Sequence, residues 1–373
     1  MQYLEPPYQQ NTNPGLICSQ EYGWRGAPNY EEVLNIENYV HWVRHNEYGM
    51  HDTTKVMAKP SNTHRILILG DSFTRAHHVQ EFETNHQVLE DKLNEHNVGM
   101  QYEIISSGVS GWGLTQELLY YEQEGYQFEP DTVLLMMYMG NDFSDNLPGR
   151  KVTIGGKNCY IPYFMLCDDV LDISAWYYAP PFRPTLGKCY WHEKLFSNIF
   201  GTIYQYSQLY NNIEPYLLKR QESMPDPYNI NFYEFYRPDD NELELYLWDL
   251  QYQLLRKLHA EVTEHGSQLI VVLIPRPDTL GYALADYETR QTLHADKPIW
   301  ANIEPTLPHE RIHQFVTEEG IPVLDLQSQF IAHIRRTDEQ LYYQLNWHWD
   351  VNGNRVAGRI IHEWLTSNEL LSQ

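Results

Sequence analysis

The sequence predicts an α/β protein, with three α/β/α layers around a five-stranded, doubly wound parallel sheet. Three observations carry that prediction. Five short apolar runs alternate with helical patterns, the rhythm of strand–helix–strand units. The runs are apolar throughout, as in strands covered on both faces. Three of them end in small or polar residues, Gly70-Asp71-Ser72, Ser106-Ser107-Gly108 and Gly140-Asn141-Asp142. Parallel strands put such ends on one edge, where open α/β sheets bind ligands.

Residues 1–60 read as a loop and β extension packing on the core, with strand-like pieces such as ENYVHWV. The main domain spans 61–373. Its first strand is the run Ile66, Leu67, Ile68 and Leu69, followed by a helical stretch over 82–93 with Phe82, Leu89 and Leu93 on one stripe. YEIISSG is the second strand, LTQELLYYEQEG a helix and DTVLLMMYMG the third strand. An insertion rich in Pro and aromatics, at about 148–240, interrupts the alternation. A long amphipathic helix over about 241–265 restores it, then SQLIVVLIP as the fourth strand, another helix and IPVLDL as the fifth. VNGNRVAGRIIHEWL closes the chain helically. There is no internal repeat or low-complexity tract.

At 373 residues the chain buries a large core. Its 29 Tyr and 10 Trp argue against disorder. Twenty-six basic against fifty acidic residues give a net charge of −24, which disfavours nucleic acid and anionic membranes as partners. No apolar run approaches the roughly 20 residues of a membrane span. The opening MQYLEPPYQQ has neither the charged nor the apolar region of a signal peptide, so the expected compartment is the cytoplasm, or an exported location with the targeting segment removed. Cys18, Cys159, Cys167 and Cys189 show no metal-ligand spacing. Cys159 and Cys167 flank a candidate hairpin that a bridge would close, but the expectation is reduced, packed thiols.

Taken alone, RILILGDSFT favours Ser72 as a helix cap, because Ser, Asp and Thr are common caps. The other strand ends change that reading. A hydroxyl, an unobstructed backbone N–H and a carboxamide converge on one edge, the parts of an acyl-transfer site. His348, in LNWHWDVNGN just before the last helix, supplies the missing base.

With these blocks the chain resembles the SGNH (GDSL-type) hydrolase superfamily over roughly 64–147 and 250–366. The resemblance implies a flavodoxin-like fold without cofactor. It implies Ser72 (in GDSFT) as nucleophile, and Gly108 (in SSGVSGWG) and Asn141 (in GNDF) as oxyanion donors beside the Ser72 N–H. His348 (in NWHWDVNG) is then the base. YGWRGAPN and HNEYGMHD are similar to leaders of bacterial members linked to polysaccharide modification. The sequence departs from the family where an Asp usually precedes the histidine by two or three positions, for Asn346 and Leu345 stand there. An Asn carbonyl accepts from His Nδ1–H but gives the imidazolium no countercharge. Asp350 is expected to enter the following helix instead, and Asp71 to hydrogen-bond structurally with its side chain turned away from Ser72. Ala76 and His78 replace glycines common after the serine block, which would narrow the pocket.

His309-Glu310-x-x-His313 matches a zinc-protease pattern, but it is short and fills the place of a crossover helix, so no metal is expected. His64, His77 and His362 read as surface or packing residues. Trp347 and Trp349 flank His348 and SAWYYAPPFRP lies in the insertion. These aromatics suit sugar stacking or simple burial. Three functions stay open: an esterase or deacetylase acting on a small acyl ester or an acylated glycan, an O-acetyltransferase with the same site, or a non-catalytic carbohydrate-binding or scaffold protein.

Overall fold

Two antiparallel hairpins lead into the sheet: β1 (Leu16–Ser19) with β2 (Gly23–Gly26), and β3 (Glu31–Ile36) with β4 (Tyr39–Arg44). The computed structural model describes residues 15–53, 55–95, 99–148, 150–167, 170–177, 232–285 and 302–371, together with Leu195 and Ile199. Next come β5 (Thr63–Gly70), the short α1 (Ser72–Arg75), α2 (Asn85–Asn94), β6 (Gln101–Ser106), α3 (Leu114–Gln123), β7 (Thr132–Tyr138) and α4 (Asp142–Asp145). The described part of the insertion forms two hairpins, β8 (Lys151–Ile154) with β9 (Lys157–Tyr160) and β10 (Pro162–Cys167) with β11 (Val170–Tyr177). The alternation resumes with α5 (Glu242–Glu264), β12 (Gln268–Ile274), α6 (Pro277–Leu284), α7 (Leu307–Glu318), β13 (Val323–Asp325), α8 (Leu326–Thr337) and α9 (Val351–Ser367).

The central sheet is parallel throughout, in the order β13-β12-β7-β5-β6. The chain leaves β5 for β6 on one side and then crosses to β7 on the other. The ends of β5 and β7 therefore frame the switch point at which such sheets open a crevice. Alternate residues feed the two faces. Leu67, Leu69, Val133, Leu135 and Met137 pack with α3, α5 and α7, whereas Ile66, Ile68, Leu134, Met136, Ile270 and Val272 pack with α2, α8 and α9. The first face is extended by the β1–β2 hairpin. Tyr22 and Trp24 join its core, Trp24 Nε1 donates to the Ser110 carbonyl at 2.9 Å, and Trp112 Nε1 returns a bond to the Trp24 carbonyl at 2.9 Å.

Two expectations are corrected. Phe82 is not on the stripe of α2: it sits in a 3₁₀ turn (Glu81–Glu83) with 63% of its surface exposed. The helix starts only at Asn85, because Thr84 caps it by accepting from Gln87 N–H. The thiols are not reduced either. Cys18 of β1 and Cys159 of β9 form a disulfide, their Cα atoms 5.5 Å apart across 141 residues of sequence. Cys167 is likewise disulfide-bonded, and the described residues include no free cysteine. Cys189 and most of SAWYYAPPFRP lie outside the described residues.

Candidate active site

β5 ends at Gly70 for a steric reason. A Cβ there would stand 2.1 Å from Thr74 Oγ1, so only glycine lets the chain fold back into α1. The cap of that turn is Asp71, whose Oδ1 accepts from Phe73 N–H at 2.9 Å. Ser72 is thereby left free as the first residue of α1, with its hydroxyl at the sheet edge. Asp71 does not turn fully away, for its Oδ2 lies 3.3 Å from Ser72 Oγ. Reaching Phe73 N–H brings the second oxygen round. Burial lifts the Asp71 pKa to about 7.

The better partner of the serine is His348. Its Nε2 lies 2.7 Å from Ser72 Oγ, across 276 residues of sequence. Its Nδ1 faces two acceptors, Asn346 Oδ1 at 2.7 Å and the Asn346 carbonyl at 3.1 Å. Two acceptors on one side place the ring proton on Nδ1 and leave Nε2 bare toward the serine. The ring packs between His78, stacked at 3.9 Å, and Phe73 at 4.9 Å. Burial drives its pKa down to about 4, so the imidazole is neutral over most of the pH range. His78 is itself held well below the usual histidine range by burial, and it lies behind the base rather than narrowing the pocket. Asp350 is committed elsewhere, capping α9 by accepting from Gly353 N–H at 2.8 Å.

Ser72 and His348 open on a cavity of about 370 Å³, lined also by Arg75, Asn141, Ser110, Gly111 and Trp347. Asn141 comes from the end of β7, and its Nδ2 donates to Asp145 Oδ2, one turn on. Asp145 also pairs with Arg150. Burial raises the Asp145 pKa to about 6 against the opposing charge of Arg150. Among the described residues the carboxamide is thus held by one hydrogen, and the second has no acceptor.

Gly108 is the sequence-predicted donor that the structure moves away. It does not line the cavity but lies under α1, where a Cβ would come 2.2 Å from Arg75 N. The loop meets the cavity two to three residues later, at Ser110 and Gly111, the latter at φ +75°. The repeated S-G in SSGVSGWG carried that signal, but spacing alone does not choose between the two glycines. Trp349 is corrected as well. It is 1% exposed and packs on Phe73 and Phe330, so it is core, whereas Trp347 is 44% exposed. Trp347 also borders a second cavity of about 540 Å³ with Leu280, Leu341, Tyr342 and Tyr343. His77, read as surface or packing, lines the first cavity. His309 is buried with its Nδ1 2.9 Å from Asp325 Oδ1, while Glu310 and His313 face solvent. His64 bonds Thr132 Oγ1 at 3.0 Å within the sheet, and His362 lies half-buried on α9.

Fold and site together define a doubly wound parallel α/β protein with a serine–histidine pair at the carboxyl edge of its sheet. No family model matches the chain, and no curated protein matches it. Solved structures similar to it include an acetyl xylan esterase, AlAXEase, at 13% identity and TM-score 0.41, over 81% of this chain and 99% of the other. Another is a lipase/acylhydrolase from Enterococcus faecalis at 11% identity and TM-score 0.40, covering 82% of this chain and 96% of that one. A catalytic mutant of the acetylxylan esterase Axe2 from Geobacillus stearothermophilus shares 12% identity at TM-score 0.41, covering 83% and 95% of the two chains.

Proposed function

We propose that this chain is a serine esterase of the SGNH (GDSL-type) superfamily that cleaves an O-acyl ester, with acetyl as the expected acyl group, through an acyl-enzyme on Ser72. The observation that carries the reading is the 2.7 Å contact between Ser72 Oγ and a His348 Nε2 kept bare by Asn346. Ser72 Oγ adds to the ester carbonyl as its proton passes to Nε2. The oxyanion is held by the Ser72 N–H, the free hydrogen of Asn141 Nδ2 and, in place of Gly108, the Gly111 N–H. Collapse expels the alcohol, which takes the proton from His348, and water then enters by the same base to release the acid. Position at the mouth makes Trp347 the candidate platform for a sugar ring, with the two cavities on either side of it.

Turnover of p-nitrophenyl acetate, with and without polysaccharide acceptors, tests this. Acetate release supports hydrolysis, and acyl appearing on the glycan supports transfer to a sugar hydroxyl instead of water. Silence in both, with no fluorophosphonate adduct on Ser72, overturns the reading in favour of a non-catalytic binding protein.

A milder effect is expected at Asn346. Asn346→Asp keeps an acceptor for Nδ1–H and adds a charge that stabilises the imidazolium, which raises the His348 pKa. Because the histidine is a base only when neutral, the acid limb of the pH–rate profile, near pH 4 in the parent, moves to higher pH. Above the new limb kcat/KM rises by about tenfold, a small part of the gain a carboxylate gives in known triads. An unchanged profile and rate would mean that another group stabilises the imidazolium.

A further inference from the structure

The loop that delivers His348 is held from outside the sheet. Residues 342–349 form a lobe closed at its base by the Tyr342–Trp349 bridge and by Tyr343 N–H donating to the His348 carbonyl at 2.8 Å. At its tip, the N–H groups of Gln344, Leu345 and Asn346 point out of the lobe. All three donate to one carboxylate, that of Glu37: Gln344 to Oε2 at 2.9 Å, Leu345 to Oε1 at 2.6 Å and Asn346 to Oε1 at 2.9 Å. Side-chain packing does little to fix the tip, since Leu345 is 86% exposed.

Glu37 is an unexpected residue for its position. Glu37 and Asn38 form the two-residue turn between β3 and β4, at φ +49° and +72°. Such turns select Asn, Asp or Gly, and a glutamate there is strained. A local rule broken at one point implies that the side chain is needed. The hairpin behind it is braced on the segment following Ser72. Tyr39 OH donates to Glu83, and His41 Nε2 lies 2.9 Å from the His77 carbonyl. Desolvation works to raise the Glu37 pKa, but the three N–H groups outweigh it and hold the carboxylate below its usual range.

We infer that Glu37 is a positioning residue of the Ser72–His348 site: its carboxylate clamps the backbone of residues 344–346 and so sets the place of Asn346 and His348. The N-terminal extension thereby completes the active site instead of merely covering the core. The inference rests on the esterase reading for its kinetic consequence, but its geometric content does not.

Glu37→Ala removes the clamp. Glu37→Gln keeps the shape but replaces one of the two acceptor oxygens by an amide nitrogen that faces at least one of the three donors, so it covers the case in which the alanine variant does not fold. Either change lowers kcat toward p-nitrophenyl acetate by about tenfold to a hundredfold, the loss expected when a reacting group is misplaced by about an ångström. KM stays within about twofold, because binding of a small ester does not use the base. Glu37→Asp restores part of the rate. Glu31→Ala, on the same hairpin and exposed, leaves kcat unchanged. A low-field His348 Nδ1–H resonance is expected in the parent, because Nδ1 lies 2.7 Å from Asn346 Oδ1, and it is lost or broadened in Glu37→Ala and Glu37→Gln. Parental kcat and an unshifted resonance in a folded Glu37 variant overturn the clamp, as does an equal loss from Glu31→Ala. If the parent neither turns over the ester nor labels at Ser72, the esterase reading fails on its own. The resonance then decides the clamp by itself.

Discussion

Ser72→Ala is expected to lower kcat/KM toward p-nitrophenyl acetate by about four orders of magnitude or more, with His348→Ala close behind and the double variant no worse than the worse single one. The size follows from the geometry. No other described hydroxyl is within hydrogen-bonding distance of His348 Nε2, and the serine is a weak nucleophile until that nitrogen takes its proton. Once either partner is gone the other has nothing to act through, which is why the losses do not add. Folding is not at stake. Among the described residues the Ser72 side chain bonds only His348 and, more weakly, Asp71, and Asp71 keeps its cap on Phe73 N–H. Parental melting with activity lost is the expected pair of results. A folded Ser72→Ala that keeps even a tenth of parental turnover would move the nucleophile elsewhere.

The parts legible in the sequence are those fixed by strand direction. Apolar runs such as Leu67–Leu69 and Val133–Met137 announce a covered parallel sheet, and parallel strands bring Ser72 and Asn141 to one edge whatever the loops do. His348 follows because the last helix begins three residues after it and Asp350 is taken up as its cap. What failed depended on where a loop turns. Gly108 and Gly111 stand in the same short segment, yet only the second reaches the cavity, since the first is pressed against Arg75 N before the chain bends. Trp347 and Trp349 divide in the same way. Trp349 belongs to the bridge with Tyr342 and goes into the core, while Trp347, at φ +67°, is turned outward. The Cys18–Cys159 bond joins two hairpins that only the packing of the insertion against the N-terminal extension brings together. Glu37 was hidden for a related reason: its partners are backbone N–H groups, which leave no trace in side-chain patterns.

The second large effect is expected at Asn141. Asn141→Ala should lower kcat by about a hundredfold or more, in the range seen when one oxyanion donor is removed. In the resting site the carboxamide spends one hydrogen on Asp145, and Asp145 is fixed in turn by Arg150. In the proposed mechanism Nδ2 is therefore pre-aimed and needs no reorganisation when negative charge develops on the substrate oxygen. That charge exists only in the transition state and the tetrahedral intermediate, so the loss falls on kcat and leaves KM nearly unchanged. The fold should tolerate the change, because Asp145 retains Arg150 and the backbone N–H of Asp145 still bonds the carbonyl of residue 141 at the start of α4. Steady-state kinetics beside thermal melting separates the cases. A large fall in kcat at constant KM and melting temperature fits a donor to the oxyanion, and a rise in KM alone would make Asn141 a ground-state binding group. An unchanged kcat in a folded variant would leave the charge to the backbone N–H groups of Ser72 and Gly111. The Asn141–Asp145 bond would then serve only to brace the end of β7.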